Sequence, residues 1–201
     1  MARMLYLTRH GQTVFNTRGI VQGWCDSPLT ELGKGQARLA RDWFEQRNIT
    51  FDHAYSSPAE RACDTVEIIT RGAVELQRTK GLKEFNYGCI EGNSYQLVLP
   101  GTYNPYGDFL VPFGGSSEDE VIARMRATLT EIMERPGHES VLAVSHGACT
   151  RAFISSCDAT SSLHVPNRVS KNCTINVLRY EDGVFNLVER FEPDDSTLRQ
   201  S

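Results

Sequence analysis

Two short apolar runs in this chain end in the same way, with a histidine followed by a glycine. The run Met4–Thr8 leads into Arg9-His10-Gly11, and the run Val141–Val144 leads into Ser145-His146-Gly147. Continuous apolar runs of this length are typical of strands that a parallel sheet buries on both faces. Ligands of open α/β sheets bind at the carboxyl ends of such strands. The pattern therefore predicts two histidines at one ligand-binding edge.

The rest of the chain alternates between strand and helix patterns. Strands are predicted at residues 3–8, 51–56, 75–79, 140–145, 174–180 and 184–190, and helices at 30–47, 58–71, 118–134 and 147–157. Thr30 and Ser57 are the expected N-caps, with Pro58 in the first helical position, and Asp182-Gly183 predicts a hairpin turn. This alternation predicts an α/β fold with three layers, in which a doubly wound, mostly parallel sheet carries helices on both faces.

Residues 81–117 carry no clear period and are rich in glycine, proline and aromatic residues. A loop of that length is unusual in a compact domain unless it is functional, so we interpret this segment as an irregular aromatic lid. At 201 residues the chain is expected to be a single domain spanning 1–201.

The bulk composition excludes several classes of function. With 21 basic and 25 acidic residues, the net charge of −4 argues against a nucleic-acid or membrane partner. No apolar stretch is long enough to span a bilayer, and the first apolar run is too short for a signal peptide, so a cytoplasmic location is expected. The six cysteines lack C-x-x-C or zinc-finger spacing and are interpreted as reduced, mostly buried thiols. The sequence leaves a homodimer open.

The residues around the two His-Gly corners suit phosphoryl chemistry. Arg9 can grip an oxyanion with its planar guanidinium, and Gly11 would let backbone N–H groups approach the ligand. A neutral His10 could attack phosphorus as a nucleophile, while His146 would stabilise the developing charge. Arg61 adds a cation near a predicted helix N-terminus, and Glu84 is the best candidate for a general acid.

Each of these residues also has an ordinary interpretation. A histidine at the end of a strand is more often a core or surface residue, and most arginines and glutamates are solvated. The co-occurrence of the five residues favours a site. His53, His138 and His164 are not followed by glycine, so we interpret them as structural or exposed.

With these residues in place, the chain closely resembles the histidine phosphatase superfamily, in its phosphoglycerate mutase-like branch. The blocks that carry the resemblance are Arg9–Asn16 (R-H-G-x-T-x-x-N), Gly23–Ala37 (G-x-x-D-x-P-L-T-x-x-G-x-x-Q-A), Ser56–Thr65 (S-S-P-x-x-R-A-x-x-T), Leu82–Gly92 (L-x-E-x-x-x-G-x-x-E-G), Val144–Arg151 (V-S-H-G-x-x-x-R) and Asn172–Thr174 (N-C-S/T). Together they span about residues 9 to 174 and are highly specific. One block departs from the family, because Phe113–Ser117 stands where Pro-Gly-Gly-Glu-Ser is usual.

The resemblance implies a role for each candidate residue. His10 would be the phosphorylated nucleophile and Glu84 the general acid, and Arg9, Arg61 and His146 would form the phosphate pocket. Asn16, Gln22 and the backbone of Gly147 would be further phosphate contacts. No step of the implied chemistry calls for a metal ion or another cofactor.

Two activities share such a site, phosphomonoester hydrolysis and the cofactor-dependent phosphoglycerate mutase reaction. Mutases of the family hold a second anion with basic residues after the acid block, but here no Lys or Arg occurs between Lys83 and Arg124. The segment instead offers aromatic side chains: Phe85, Tyr87, Tyr95, Tyr103, Tyr106, Phe109 and Phe113. We therefore favour a histidine acid-type phosphatase acting on a small-molecule phosphate monoester with a neutral or partly apolar leaving group. These aromatic residues could also simply fill a small core under the lid.

Two other interpretations remain to be tested. The chain could be a catalytically idle phosphate-binding module, although such relatives usually lack the nucleophilic histidine or an arginine. Cys173 and Arg179 have the C-x5-R spacing of cysteine-dependent phosphatases. The residues between them lack glycine and are rich in β-branched side chains, which predicts a strand rather than a phosphate loop.

Overall fold

A mixed sheet of six strands forms the centre of the fold in the computed structural model, which describes residues 3–98, 107–157, 170–196 and 198. The strands are β1 (Arg3–Arg9), β2 (His53–Ser56), β3 (Leu76–Arg78), β4 (Ser140–Ser145), β5 (Ile175–Glu181) and β6 (Val184–Phe191), in the order β3-β2-β4-β1-β5-β6. The first four in this order are parallel, whereas β5 and β6 are an antiparallel hairpin. Asp182 and Gly183 both have positive φ angles at its turn, as the predicted Asp-Gly turn requires.

In the described ranges, six α-helices connect or cover these strands: α1 (Val14–Arg18), α2 (Glu31–Gln46), α3 (Glu60–Thr70), α4 (Tyr95–Val98), α5 (Glu118–Glu134) and α6 (Gly147–Cys157). The long ones begin where the sequence provides a cap. Thr30 accepts the N–H of Gly33 at the start of α2, and Ser117 forms a capping box with Glu120 at the start of α5. No helix in the described ranges is long and apolar enough to cross a bilayer.

The start of α3 differs from the prediction. The helix begins at Glu60 after Ala59, and Ser57 accepts only the N–H of Ala59. The carboxylate of Asp26, which comes from a distant loop, instead accepts the N–H of Glu60 at 2.6 Å. Ser57 and Pro58 therefore lie before the helix, because a side chain far away in the sequence supplies the cap.

Two separate apolar cores confirm the three layers. One core contains side chains of α2 and α3 with Tyr6 of β1, and the other contains side chains of α5 and α6 with Leu5 and Leu7 of the same strand. Because successive strand residues point to opposite faces, the continuous apolar run of β1 fills both cores.

The connections make the β1/β4 junction a switch point of the sheet. From β1 the chain crosses through α2 to β2 on one side, and from β4 it crosses through α6 to β5 on the other. Arg9 of β1 pairs with Ser145 of β4, so His10 and His146 leave the sheet side by side. Crevices at such points are where open α/β folds bind ligands.

The predicted lid segment is only partly irregular. It contains short 3₁₀ turns at Lys80–Leu82, Gly88–Ile90 and Val111–Phe113, in addition to α4. The segment also contacts the loop after α1, because the carbonyl of Asn93 accepts a hydrogen bond from the N–H of Val21 in that loop. Phe85 and Tyr87 are buried in the core that contains α5 and α6, as the alternative interpretation of the lid aromatics expected, and Tyr103 and Tyr106 lie outside the described residues.

Candidate active site

His10 stands immediately after β1 and is buried. Its Nδ1 lies 2.7 Å from the carbonyl oxygen of Gly11. A carbonyl can only accept, so Nδ1 must carry the proton and Nε2 must hold a lone pair. The neutral ring is therefore fixed in the tautomer of a nucleophile.

His146 stands after β4 with the opposite tautomer. Its Nδ1 lies 3.0 Å from Nη2 of Arg61. A guanidinium can only donate, so Nδ1 accepts and the ring proton lies on Nε2. That buried Nε2–H has no partner among the described protein groups. The two rings meet edge to face with centroids 5.2 Å apart. Together they offer one lone pair, on His10, and one unmatched N–H donor, on His146.

Burial and neighbouring cations keep both histidines neutral. Burial lowers the pKa of His10 well below its ordinary value, and Arg61 and Arg9 lower it further. The pKa of His146 is also lowered well below its ordinary value, again chiefly by burial and then by Arg61. The nucleophilic form of His10 is thus the resting form of the unliganded site.

Arg61 is completely buried in the first turn of α3, and protein groups accept hydrogen bonds from both of its Nη atoms. Nη1 donates to Asp26 and the carbonyl of Cys25, and Nη2 donates to the carbonyl of Gly23 and to His146. Only the buried Nε–H lacks a partner in the described structure. The residue can therefore give one direct hydrogen bond to an anion, while its charge acts on the whole cleft.

Arg9 is the last residue of β1 and presents a similar donor. Its Nη1 bonds the carbonyl oxygen of Ser170, and its buried Nε–H has no partner within the described ranges. Two guanidinium Nε–H donors and one imidazole N–H thus lack partners among the described groups. Both arginines are near enough to lower the pKa of His10, and the His146 ring packs against it.

Glu84 is buried against the N-terminus of α6. Its Oε1 accepts the N–H groups of Phe85 and Cys149, whereas Oε2 accepts only that of Ala148. Because each carboxyl oxygen offers about two acceptor positions, Oε2 is the oxygen that can carry a proton. Glu84 takes two N–H groups of the first turn of α6, and among the described contacts that of Gly147 remains unbonded.

Asn16 and Gln22 belong to a polar cluster around Thr13. The Oδ1 atom of Asn16 accepts from the N–H of Thr13 and from Asn172, so its NH2 group remains to donate. Gln22 accepts a hydrogen bond from the hydroxyl of Thr13 at 2.7 Å and donates to Ser27. These bonds fix both amides, and their predicted contact with phosphate stays a prediction.

Gly11 has a different role from the one expected. Its N–H donates to Oγ1 of Thr65, and a Cβ at this position would lie 2.5 Å from the carbonyl oxygen of Gly33. The glycine is therefore needed for close packing between the His10 corner and α2, because any side chain would collide with the helix backbone.

Two residues of the site were missed as functional positions, although both lie within the quoted family blocks. Asp26 accepts from Arg61 at 2.6 Å and also caps α3. Asn172 donates to the carbonyl of His10 at 3.1 Å and to Asn16. Only the three-dimensional contacts show that these side chains hold the residues that face the cleft.

The remaining histidines and the cysteine motif lie apart from this cluster. His53 stacks on the buried His138 with ring centroids 3.6 Å apart, which fits the structural interpretation, and His164 lies outside the described residues. Cys173 precedes β5, which carries Arg179 as an exposed strand residue, and burial raises the pKa of the Cys173 thiol. The strand prediction is confirmed, so these two residues do not form a phosphate loop.

The groups of this cluster are of the kind that can bind a tetrahedral oxyanion. They comprise a nucleophilic lone pair, several unmatched N–H donors and two cations in a buried environment, where such groups interact strongly. Within the described ranges, no three His, Cys, Asp or Glu side chains gather as a metal site.

The two neutral histidines should make stability fall in acid. A histidine whose pKa is lower in the folded than in the unfolded chain is protonated first in the unfolded chain, so stability is lost as pH falls below about 6.5. Each would contribute a slope of up to about 1.4 kcal/mol per pH unit. The free energy of unfolding, measured in urea in phosphate-free buffer between pH 7 and 5, should fall less steeply with decreasing pH for His146→Asn than for the wild type. Equal slopes would contradict the assignment.

Comparisons with known proteins relate this geometry to enzymes of two kinds. The sequence profile of the histidine phosphatase superfamily (branch 1) matches residues 5–192. A 2,3-bisphosphoglycerate-dependent phosphoglycerate mutase of Methylorubrum extorquens is 32% identical over 173 residues, covering 77% of this chain and 78% of that protein. Bacillus stearothermophilus YhfR superimposes with a TM-score of 0.83 at 26% identity, covering 96% and 98% of the two chains. A mycobacterial glucosyl-3-phosphoglycerate phosphatase does so with a TM-score of 0.76 at 25% identity, covering 92% and 97%.

Proposed function

This chain belongs to branch 1 of the histidine phosphatase superfamily, and we propose that it hydrolyses small-molecule phosphate monoesters through a phosphohistidine at His10. The observation that carries the proposal is the pair of opposite tautomers, with a lone pair on Nε2 of His10 and a proton on Nε2 of His146. A nucleophile and a donor for the phosphoryl oxygens are what an in-line displacement at phosphorus needs.

The proposed reaction has two steps. Nε2 of His10 attacks phosphorus, the N–P bond forms as the ester P–O bond breaks, and the leaving oxygen takes the proton from Oε2 of Glu84. Water then attacks phosphorus, the P–N bond breaks, and Glu84 accepts a proton from the water. Inorganic phosphate leaves, with His10 neutral and Glu84 protonated again.

Side chains donate and accept every proton in these steps, so the proposal includes no metal or cofactor. An excess of EDTA should therefore leave the phosphatase activity unchanged.

The surroundings of Glu84 support a neutral, partly apolar leaving group. The indole Nε1 of Trp24 donates to the carbonyl of Glu84 at 3.1 Å, and the Trp24 side chain is about half exposed. Burial raises the pKa of Tyr95, in α4, to about 12, so this side chain stays a neutral phenol. Other apolar side chains on the lid are also exposed: Leu97, Phe109 and Val111.

The second candidate is the mutase reaction, which the 32% identical Methylorubrum mutase favours. A mutase must also bind the carboxylate of its substrate. The segment between Lys83 and Arg124 has no basic residue for that purpose. Lys83 itself lies with Nζ 3.5 Å from the ring centroid of Trp24. We therefore favour hydrolysis, in a cytoplasmic enzyme that needs neither a nucleic-acid nor a membrane partner.

Steady-state kinetics should separate the two activities. An unpaired anion in the cleft costs about 3 kcal/mol, which corresponds to about 100-fold. We expect kcat/KM for the hydrolysis of aryl and sugar phosphates to be at least about 100-fold higher than kcat/KM for the isomerisation of 3-phosphoglycerate. The isomerisation is assayed after priming with bisphosphoglycerate. Efficient isomerisation would instead identify a mutase. Phosphate binding without turnover or phosphoenzyme would identify an idle binding module.

A further inference from the structure

The turn that carries Glu84 has an unusual set of hydrogen bonds. Within the described part of the chain, side chains from other elements donate hydrogen bonds to all five consecutive backbone carbonyls of residues 80–84. Backbone carbonyls at the end of a short 3₁₀ turn have no partner within the turn. Here they accept hydrogen bonds from side chains of α5, β4 and the loop that contains Trp24.

Arg124 of α5 binds four of these five carbonyls. Its Nη1 lies 2.8 Å from the oxygens of Gly81 and Lys83 and 3.4 Å from that of Lys80, and its Nη2 lies 3.2 Å from that of Glu84. Charge-assisted bonds of this kind are about twice as strong as neutral ones, and a planar guanidinium fixes their directions.

Further contacts place the same turn on the sheet and on α5. The hydroxyl of Ser145 donates to the carbonyl of Leu82 at 2.8 Å. A Cβ on Gly81 would lie 1.8 Å from Oγ1 of Thr128, so the turn packs directly on the helix that carries Arg124. The turn therefore has little room to move as long as the guanidinium bonds remain.

We propose that Arg124 is a positioning residue for the general acid, because its guanidinium fixes the turn of residues 80–84 and thereby the place of the Glu84 carboxyl group. The inference rests on the proposed function. A displacement of about 1 Å at a reacting group can cost about 100-fold in rate. Arg124 itself does not touch the phosphoryl group in this scheme and acts through Glu84.

The test uses leaving groups that differ in their need for an acid. Arg124→Met keeps an apolar stem and removes the donors. It should lower kcat/KM for an alkyl phosphate, measured by phosphate release, about 30- to 100-fold, and for p-nitrophenyl phosphate less than about threefold. Arg126→Met is the matched control on the same helix, because Arg126 bonds Ser156 rather than the turn. It should leave both rates unchanged.

Arg124→Lys keeps the charge and provides a test if the methionine variant does not fold. A lysine ammonium lacks the planar fork, so we expect a selective loss on the alkyl phosphate of about tenfold. Equal losses on both esters, or no loss in either variant, would overturn the inference.

Amide hydrogen exchange tests the geometry without turnover. The N–H groups of Ala148 and Cys149 lie in the first turn of α6 and bond the carboxyl oxygens of Glu84. In the Arg124 variants they should exchange at least about tenfold faster than in the wild type, and unchanged exchange would contradict the inference. If wild-type protein hydrolysed neither ester, the proposed function would fail, whereas a failure of the positioning role appears only in the variants.

Discussion

His10→Ala is expected to lower kcat for every phosphate monoester by at least about 10⁴-fold and to abolish the phosphoenzyme. The reason is the fixed tautomer. The carbonyl of Gly11 holds the proton of His10 on Nδ1, so Nε2 of His10 keeps a lone pair that can attack phosphorus. His146 cannot replace it, since its own Nε2 carries a proton while Nδ1 accepts from Arg61.

The measurement is p-nitrophenyl phosphate hydrolysis combined with acid and base quenching. Wild-type protein should yield an adduct that survives base and is lost in acid, as a phosphoramidate does. His53→Ala serves as a matched control, since that histidine stacks on His138 away from the cleft and should retain turnover and adduct. An adduct in His10→Ala, or activity above about 0.01% of wild type, would show that another group attacks phosphorus.

The sheet and its binding edge were predictable because local patterns encode them. The apolar runs before His10 and His146 have the length and composition of strands buried on both faces, and such strands are parallel in α/β proteins. The structure places them as neighbours in matching register, Arg9 opposite Ser145. The sequence patterns predicted that both histidines lie at one edge, but they could not show that the two strands are adjacent.

The protonation states could not be predicted, because they depend on contacts between distant segments. The proton position on His146 follows from Arg61, which lies 85 residues earlier in the chain. In the same way, the cap of α3 comes from Asp26, so the local Ser-Pro signal placed the start of the helix too early. Gly11 was assigned to ligand approach, but the backbone of Gly33 is what excludes a side chain there. Local propensity is a weak guide wherever a contact from a distant segment overrides it.

Glu84 shows the same division between residue type and environment. Its place at the start of an irregular segment made it a candidate acid, yet nothing local predicts that two N–H groups of α6 bond its carboxyl oxygens. Those contacts distinguish the oxygens, with Oε1 filled by two donors and Oε2 open to a proton.

Glu84→Gln is expected to slow alkyl phosphate hydrolysis about 10³-fold and p-nitrophenyl phosphate hydrolysis less than about tenfold. An alkoxide needs a proton as it leaves, whereas nitrophenolate leaves without one. The glutamine amide can keep its oxygen toward Phe85 and Cys149, but its NH2 group then faces the N–H of Ala148. The variant should therefore also lose about 1–3 kcal/mol of stability, and this cost must be separated from the loss of the acid.

Glu91→Gln separates the two effects, because Glu91 binds backbone in the same pattern. Its Oε1 accepts the N–H groups of Trp24 and Tyr87, and its Oε2 accepts that of Cys25. The Glu91→Gln substitution places an NH2 group against a backbone N–H in the same way, but it removes no proton donor from the active site. Any loss of hydrolysis rate should therefore be equal for the two esters. Selectivity in Glu84→Gln together with its absence in Glu91→Gln would identify proton donation as the role of Glu84. Equal losses in both variants would show that Glu84 is a helix cap, and the acid would then have to be sought elsewhere in the cleft.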